Sequence, residues 1–260
     1  MEMKMFATNR GLGKAGFTLV EMLIAVAISG ILVAAIYTAY VVQQKSYVVQ
    51  EQVAETQENL RAAMTRLLSE IRQAGCDPEG TADARIVEAT ATSFHFTADI
   101  GGNPVNENMA DGIIGDPATN EDITFGMAAT DDANGDGIAD GGVAGANWNE
   151  TGQLGRNTGG GLQPAAELID ALEFNYILAD GTATNSSGIA TATQTNAPIA
   201  TLSDIRAVQV SLLARGARPD EKFVDTATYT TASGVVWDPP NDNFRRRFVI
   251  VTIQLRNMGL

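Results

Sequence analysis

Apolar residues fall along this chain in three regimes. From Met22 to Gln44 no side chain carries a charge, a run of 23 residues whose apolar positions cover every face of a helix. As a helix this run extends about 35 Å, enough to cross the hydrocarbon core of a bilayer. After Gln44 the pattern becomes one-sided. Val49, Val53, Leu60, Met64, Leu67, Leu68 and Ile71 recur at helical spacing, while Glu51, Glu55, Glu58, Arg61, Arg66, Glu70 and Arg72 take the other faces. Gly75 and then Pro78 close the pattern, as a C-terminal glycine and a following proline do. The reading is one helix over residues 17–74, roughly 85 Å long, with a first half that finds no partner in its own chain and a second half that packs on its own globular domain.

From Thr81 onward the period shortens to two. Residues 85–89 and 93–98 predict a hairpin in which Phe94 and Phe96 alternate around His95. Further strands are expected at 123–127, at 172–178 with Leu172, Phe174, Tyr176 and Leu178 on one face, at 207–214 and at 248–255, with a weaker one over 228–237. These predict an α+β fold in which an antiparallel sheet buries the helix stripe on one face. The stretches 101–122, 128–165 and 179–203 are rich in Gly, Asn, Asp, Thr and Ala and read as long surface loops, the usual carriers of recognition.

Charge sets the direction of the chain. Lys4, Arg10 and Lys14 stand against Glu2 ahead of the apolar run, which places the N-terminus in the cytoplasm and exports everything after the run. The whole chain has a formal charge of −14, so the exported domain is acidic. That excludes nucleic-acid binding through general charge and suits divalent cations better. Cys76 is the only cysteine and makes no internal disulfide; it is expected buried under the helix–domain junction, the alternative being an intermolecular bond.

One acid interrupts the apolar opening. Glu21 stands at the edge of the hydrocarbon segment, where a carboxylate costs several kcal/mol unless it is paired, and the neighbouring sequence is read as offering no partner. The segment Lys14-Ala15-Gly16-Phe17-Thr18-Leu19-Val20-Glu21 resembles the class III signal of type IV pilins and type II secretion pseudopilins. The resemblance implies that a prepilin peptidase cuts after Gly16, that Phe17 becomes the N-methylated first residue, and that Glu21 pairs with the N-terminal ammonium of a neighbouring subunit. An ordinary secretory signal has a shorter apolar core with its cut site behind it, and a plain single-pass anchor leaves Glu21 without a role.

Three further stretches resemble minor pilins of the PilW type: residues 67–75 (LLSEIRQAG), 207–216 (AVQVSLLARG) and 245–257 (RRRFVIVTIQLRN). The implied architecture is a pilin-like lollipop. Residues 1–16 are a cleaved leader, 17–44 the transmembrane and fibre-core half of the helix, 45–75 its amphipathic half, and 76–260 a β-rich globular domain. Ala25, Ala27, Ser29, Gly30, Ala34, Ala35 and Ala39 are small and permit close helix packing. Thr38 stands where many major pilins carry a helix-melting proline.

The sharpest chemical motif lies at residues 131–142. Asp132, Asn134 and Asp136 alternate as oxygen donors, Gly137 supplies a sharp turn, Ile138 a backbone carbonyl and Asp140 a further acid, as in the first part of an EF-hand-like Ca²⁺ loop. Val143 stands where the bidentate glutamate of a complete loop belongs, so affinity is expected near the extracellular end of the range, about 10⁻⁴–10⁻³ M. A solvated acidic turn is the competing reading. His95 is expected on the outer face of the sheet, Arg245, Arg246 and Arg247 as a solvated run or a docking patch, and Trp148 and Trp237 as contact residues or core plugs. No nucleophile–base, Cys/His-cluster or phosphate-loop motif is found, which argues against an enzyme.

Together these features predict a minor pilin of a type IV pilus (fimbrium), held by a single span in the bacterial inner membrane and then assembled at the cell surface. It takes part in initiating the fibre or in its tip complex, with the prepilin peptidase, other minor and major pilins and the assembly machinery as partners. The alternatives are a minor pseudopilin of type II secretion and a calcium-dependent adhesin with pilin-type anchoring.

Overall fold

The computed structural model describes residues 16–101, 110, 112–114, 120–143, 147–148, 150–184 and 200–259. The N-terminal helix, α1, runs unbroken over Leu19–Ile71. It passes through two compact units, Met1–Val49 and Gln50–Leu260. Thr38 does not interrupt it; its hydroxyl donates to the Ala34 carbonyl one turn back, 2.5 Å away, a bond that keeps a threonine compatible with a helix.

In the first unit every side chain from Gly16 to Tyr40 is exposed. The helix there is long and apolar enough to cross a membrane. In the second unit α1 buries Gln52, Thr56, Leu60, Ala63, Leu67 and Ile71, a seam at four- and three-residue steps. This corrects the expected stripe at its start. Val53 stays 41 % exposed because it sits one residue, hence about 100°, off the seam. Its place is taken by Gln52, which packs closely over Gly216, and by Thr56, whose hydroxyl donates to the Gln52 carbonyl. The helix ends at Ile71, three residues short of the expected 74, and a turn carries the chain to Gly75, which adopts φ +72°, donates its N–H to the Thr97 carbonyl and would set a Cβ 2.5 Å from the Met258 sulfur.

After α1 come β1 (Ile86–Ala89), β2 (Ser93–Thr97), β3 (Asp122–Gly126), β4 (Gly152–Asn157), β5 (Gln163–Leu178), β6 (Ala183–Thr184), the short α2 (Ala200–Ser203), β7 (Ile205–Arg215), β8 (Tyr229–Thr230), β9 (Val236–Trp237) and β10 (Arg246–Gln254). The main sheet has the order β1-β2-β3-β4-β5-β7-β10, with β6 on β5, and all its pairings are antiparallel. β8 and β9 form a separate small ribbon. The expected long N-terminal helix and C-terminal antiparallel sheet are therefore both present.

Two of the expected loops contain strands. β4 and the first half of β5 lie in 128–165 and just beyond it, and β6 and α2 lie in 179–203. β4, Gly-Gln-Leu-Gly-Arg-Asn, has one apolar residue to pattern on, and β5 opens with Gln163-Pro164-Ala165-Ala166. Tertiary contacts hold them instead: Leu154 is buried, and Arg156 bonds Glu70 of α1 at 2.5 Å, with Arg66 on the other carboxylate oxygen.

The core lies between the α1 seam and one face of the sheet, where Phe94, Phe96, Phe125, Leu172, Phe174, Tyr176, Val208, Val210 and Leu212 are buried. Tyr176 is fully buried, and its hydroxyl donates to the Thr90 and Ser93 carbonyls. His95, between Phe94 and Phe96, points off the core and bonds Asp122. The sheet's other face carries a second apolar cluster of Ile138, Ala171, Leu213 and Trp237, with Trp148, Tyr229 and Phe248 packed against it. Both tryptophans thus serve as core plugs. Cys76 is half-buried rather than buried, and burial, then Asp99 and Asp77, pushes its thiol pKa up.

Candidate functional site

The N-terminal segment is built on a capping box. Gly16, Phe17 and Thr18 are non-helical, and α1 starts at Leu19. Thr18 is the N-cap: its hydroxyl accepts from the Glu21 N–H at 3.2 Å, while Glu21 Oε2 accepts from the Thr18 N–H and hydroxyl, each at 2.9 Å. This corrects the sequence reading that left Glu21 without a nearby partner. The Thr-x-x-Glu spacing that signals such a box was present in Thr18-Leu19-Val20-Glu21. Only Oε2 is engaged; Oε1 takes no hydrogen bond from a described residue, and the group is exposed. One carboxylate can therefore hold its own helix start and still present an oxygen to an external cation.

The acidic loop at 131–142 sits against the second face of the sheet. Ile138 bridges Ala171 of β5, the Leu172 N–H donates to the Gly137 carbonyl, and the Ala139 N–H donates to the Asp170 carbonyl. Gly137, at φ +83°, has no room for a side chain, since a Cβ would lie 2.3 Å from the Leu172 carbonyl oxygen. Asp132 accepts from the Gly135 and Gly137 N–H groups, and Asp140 from those of Ala133 and Gly142. Asp136 Oδ1 accepts from the Ile138 N–H, and its Oδ2 from the side-chain amides of Asn134 and Asn147. Burial pushes the Asp132 carboxyl pKa up, against the pull of the Gly137 and Gly135 N–H groups.

Asn147, which sequence reasoning missed, joins this loop with its Oδ1 buried and without a hydrogen-bond partner among the described residues. It stands outside the nonapeptide, so no motif spacing marks it. Among the described residues no group of three or more His, Cys, Asp or Glu side chains is gathered to hold a metal.

The arginine run is neither a solvated patch nor uniformly a docking surface. The Arg246 side chain is fully buried and bonds Asp170 and Asp242 at 2.6 Å, with Asp225 at 3.3 Å. Its guanidinium also lies 5.5 Å from the centre of the Trp148 ring. Arg245 pairs with Asp220 and stacks on Phe223. Arg245 and Arg246 thus lock the start of β10 to the loops around it, while Arg247 stays exposed.

With this geometry in hand, comparison with known proteins gives two family matches. Residues 143–257 match the model of the type IV pilus-assembly protein W family, and residues 12–37 match the prokaryotic N-terminal methylation motif. No curated protein matches the chain. Among solved structures it is similar to the type IV-like pilin TTHA1219 from Thermus thermophilus, at 15 % identity and a TM-score of 0.42, covering 78 % of this chain and 97 % of that one. A prepilin methylation motif opening a capped, uncovered apolar helix that leads into an antiparallel sheet defines a type IV pilin-like protein. Within that class residues 143–257 are similar to the PilW type.

Proposed function

We propose that this protein is a minor subunit of a type IV pilus that helps to start the fibre or belongs to its tip complex, with a structural rather than a catalytic role. The observation that carries the reading is the contrast along one helix. From Leu19 to Tyr40 α1 is apolar but for Glu21 and a few small polar residues and is covered by no described residue, whereas from Gln52 onward the same helix has a buried seam. An apolar helix face of that size needs lipid or other helices around it. The inner membrane supplies the first, with the N-terminus cytoplasmic, and neighbouring pilins at the cell surface supply the second. In this scheme the prepilin peptidase cuts after Gly16, Phe17 carries the new methylated ammonium, and Glu21 Oε1 accepts the chain end of the adjacent subunit.

The test is Glu21→Gln beside Glu21→Ala, scored by the amount of this subunit in sheared surface filaments. Glutamine keeps an oxygen for the Thr18 box and loses the charge, so both variants should reduce incorporation by about tenfold or more if ion pairing matters. Wild-type incorporation of Glu21→Gln would remove the ion-pair account, and mass spectrometry showing a mature end other than methylated Phe17 would remove the processing scheme.

Calcium at the 131–142 loop is a second part of the proposal, favoured by the convergence of Asn134 and Asn147 on Asp136. Turning either amide over would replace a donor by an oxygen beside Asp136 Oδ2, and the Asn147 oxygen has no other partner among the described residues. Asp132, Asn134, Asp136, the Ile138 carbonyl and Asp140 would supply the remaining oxygens. The ion would order the loop. Calorimetric titration of the full chain in detergent should give a Kd of about 10⁻⁴–10⁻³ M that is lost in Asp136→Ala. No heat up to about 10 mM Ca²⁺, above that range, would leave the loop as an acidic turn.

A further inference from the structure

The two edges of the main sheet are built differently. β1 is four residues long and its pairing with β2 is broken by a bulge between Ile86 and Glu88, the kind of short, irregular edge that resists further pairing. β10 is nine residues long and pairs with β7 in unbroken register from Arg246↔Arg215 to Gln254↔Ala207. It contains no proline and no bulge.

Which peptide groups β10 leaves open follows from its two ends. The Gly216 N–H donates to the Arg245 carbonyl and the Leu255 N–H to the Arg206 carbonyl. Both are inward bonds to the β7 side. With the register continuous between them, residues 245, 247, 249, 251, 253 and 255 turn their peptide groups toward β7. Phe248, Ile250, Thr252 and Gln254 turn theirs outward, and those backbone groups have no partner among the described residues.

The side chains along this edge are apolar and partly open. Val249 and Val251 are only partly buried on the helix-facing side, and Ile250 is 42 % exposed on the other. At the N-terminal end the edge runs into a cleft of about 330 Å³ that is lined by Val53 and Thr56 of α1 and by Arg245 and Arg247. Arg247 is exposed and makes no ion pair with a described residue; Arg256, just past the other end, is the same. The remainder of the chain is strongly acidic.

We propose that β10 accepts an extended segment of a different subunit as an added antiparallel or parallel strand, and that this segment is apolar at alternate positions with a carboxylate set in the cleft at Arg247. Backbone pairing supplies affinity and the cleft supplies selectivity. A second copy of this chain is the poorer occupant. Antiparallel self-pairing lays two copies of residues 244–257 side by side, a stretch with four arginines and no Asp or Glu, so Arg247 meets no carboxylate there and like charges gather along the pair. The inference rests on the chain being a subunit of an assembly, but it concerns a contact separate from the N-terminal helix.

The experiment compares amide exchange, by mass spectrometry, in the detergent-solubilised full chain and in the same chain within sheared filaments. The outward amides of Phe248, Ile250, Thr252 and Gln254 should exchange freely in the first and be slowed by about 100-fold or more in the second. Equal exchange in both states overturns the proposal, as does protection that appears in the isolated chain with rising concentration, the signature of self-pairing. Ile250→Pro provides an independent arm. Ile250 donates outward, so proline there deletes an edge donor without removing a bond to β7, whereas Ile250→Thr keeps the donor. A folded Ile250→Pro chain should enter filaments about tenfold less than Ile250→Thr, with Arg247→Glu also reduced; equal entry of the two Ile250 variants overturns the proposal. Should Ile250→Pro not fold, the exchange comparison decides alone. Loss of edge protection with Glu21 dependence intact would sink this contact only, while indifference to Glu21 would sink the assembly scheme.

Discussion

Asp170 shows how one buried acid ties the sheet to its surroundings. It lies on β5, fully buried, with Arg246 at 2.6 Å and Arg215 at 3.4 Å, while Asp225 and Asp242 share Arg246 with it. Burial nevertheless dominates and pushes its carboxyl up to about 6, against the pull of Arg246 and Arg215. In the unfolded chain it returns to 3.8, so the folded state holds this proton more tightly. Its contribution therefore favours folding below about pH 4, is lost as pH rises toward about 6, and levels off at a cost on the order of 3 kcal/mol. Asp170→Asn removes the titration. Thermal melts of the two proteins should show the wild type losing ground to the variant between about pH 4 and 6.5; a constant difference across that window would mean that Asp170 does not titrate there.

The elements that could be read in advance are those that carry their own periodicity. The seam of α1 at Leu60, Leu67 and Ile71 and the alternation of Leu172, Phe174 and Tyr176 are visible because each buried position is apolar. β4 and the start of β5 were not, since Gly152, Gly155 and Pro164 carry loop chemistry and the pairing is imposed by neighbours such as Glu70 with Arg156. The start of the α1 seam was missed for a related reason: Gln52 and Thr56 are polar, Gln52 being buried over Gly216 and Thr56 bonding the Gln52 carbonyl. The acidic loop illustrates the converse. Its glycine was read as a turn for an ion, and it is also the point where the loop backbone meets Leu172. Gly137→Ala should therefore cost about 1–3 kcal/mol without any calcium. Gly135→Ala, at φ +73° with open space around it, should cost no more than about 1 kcal/mol. Melting in chelator measures both, and equal losses would contradict the close approach at Gly137.

For the molecule as a whole, the sequence announced the apolar helix and the processing motif but not the arrangement of the sheet. Edge and centre are properties of strand order, and nothing in the residues 245–257 distinguishes an outer strand from an inner one until β7 is placed beside them. The buried Arg246 was equally hidden, because its partners Asp170, Asp225 and Asp242 come from distant segments.

The capping box at the head of α1 bears on the proposed maturation. Thr18 and Glu21 both lie downstream of the Gly16–Phe17 bond, and that bond lies in chain that has not yet turned helical. Under the proposed cut after Gly16, a protease would thread that peptide without unwinding a helix, and both capping groups would stay with the mature chain. The helix would then begin already closed at its new tip, with only Phe17 ahead of the cap to carry the new amine.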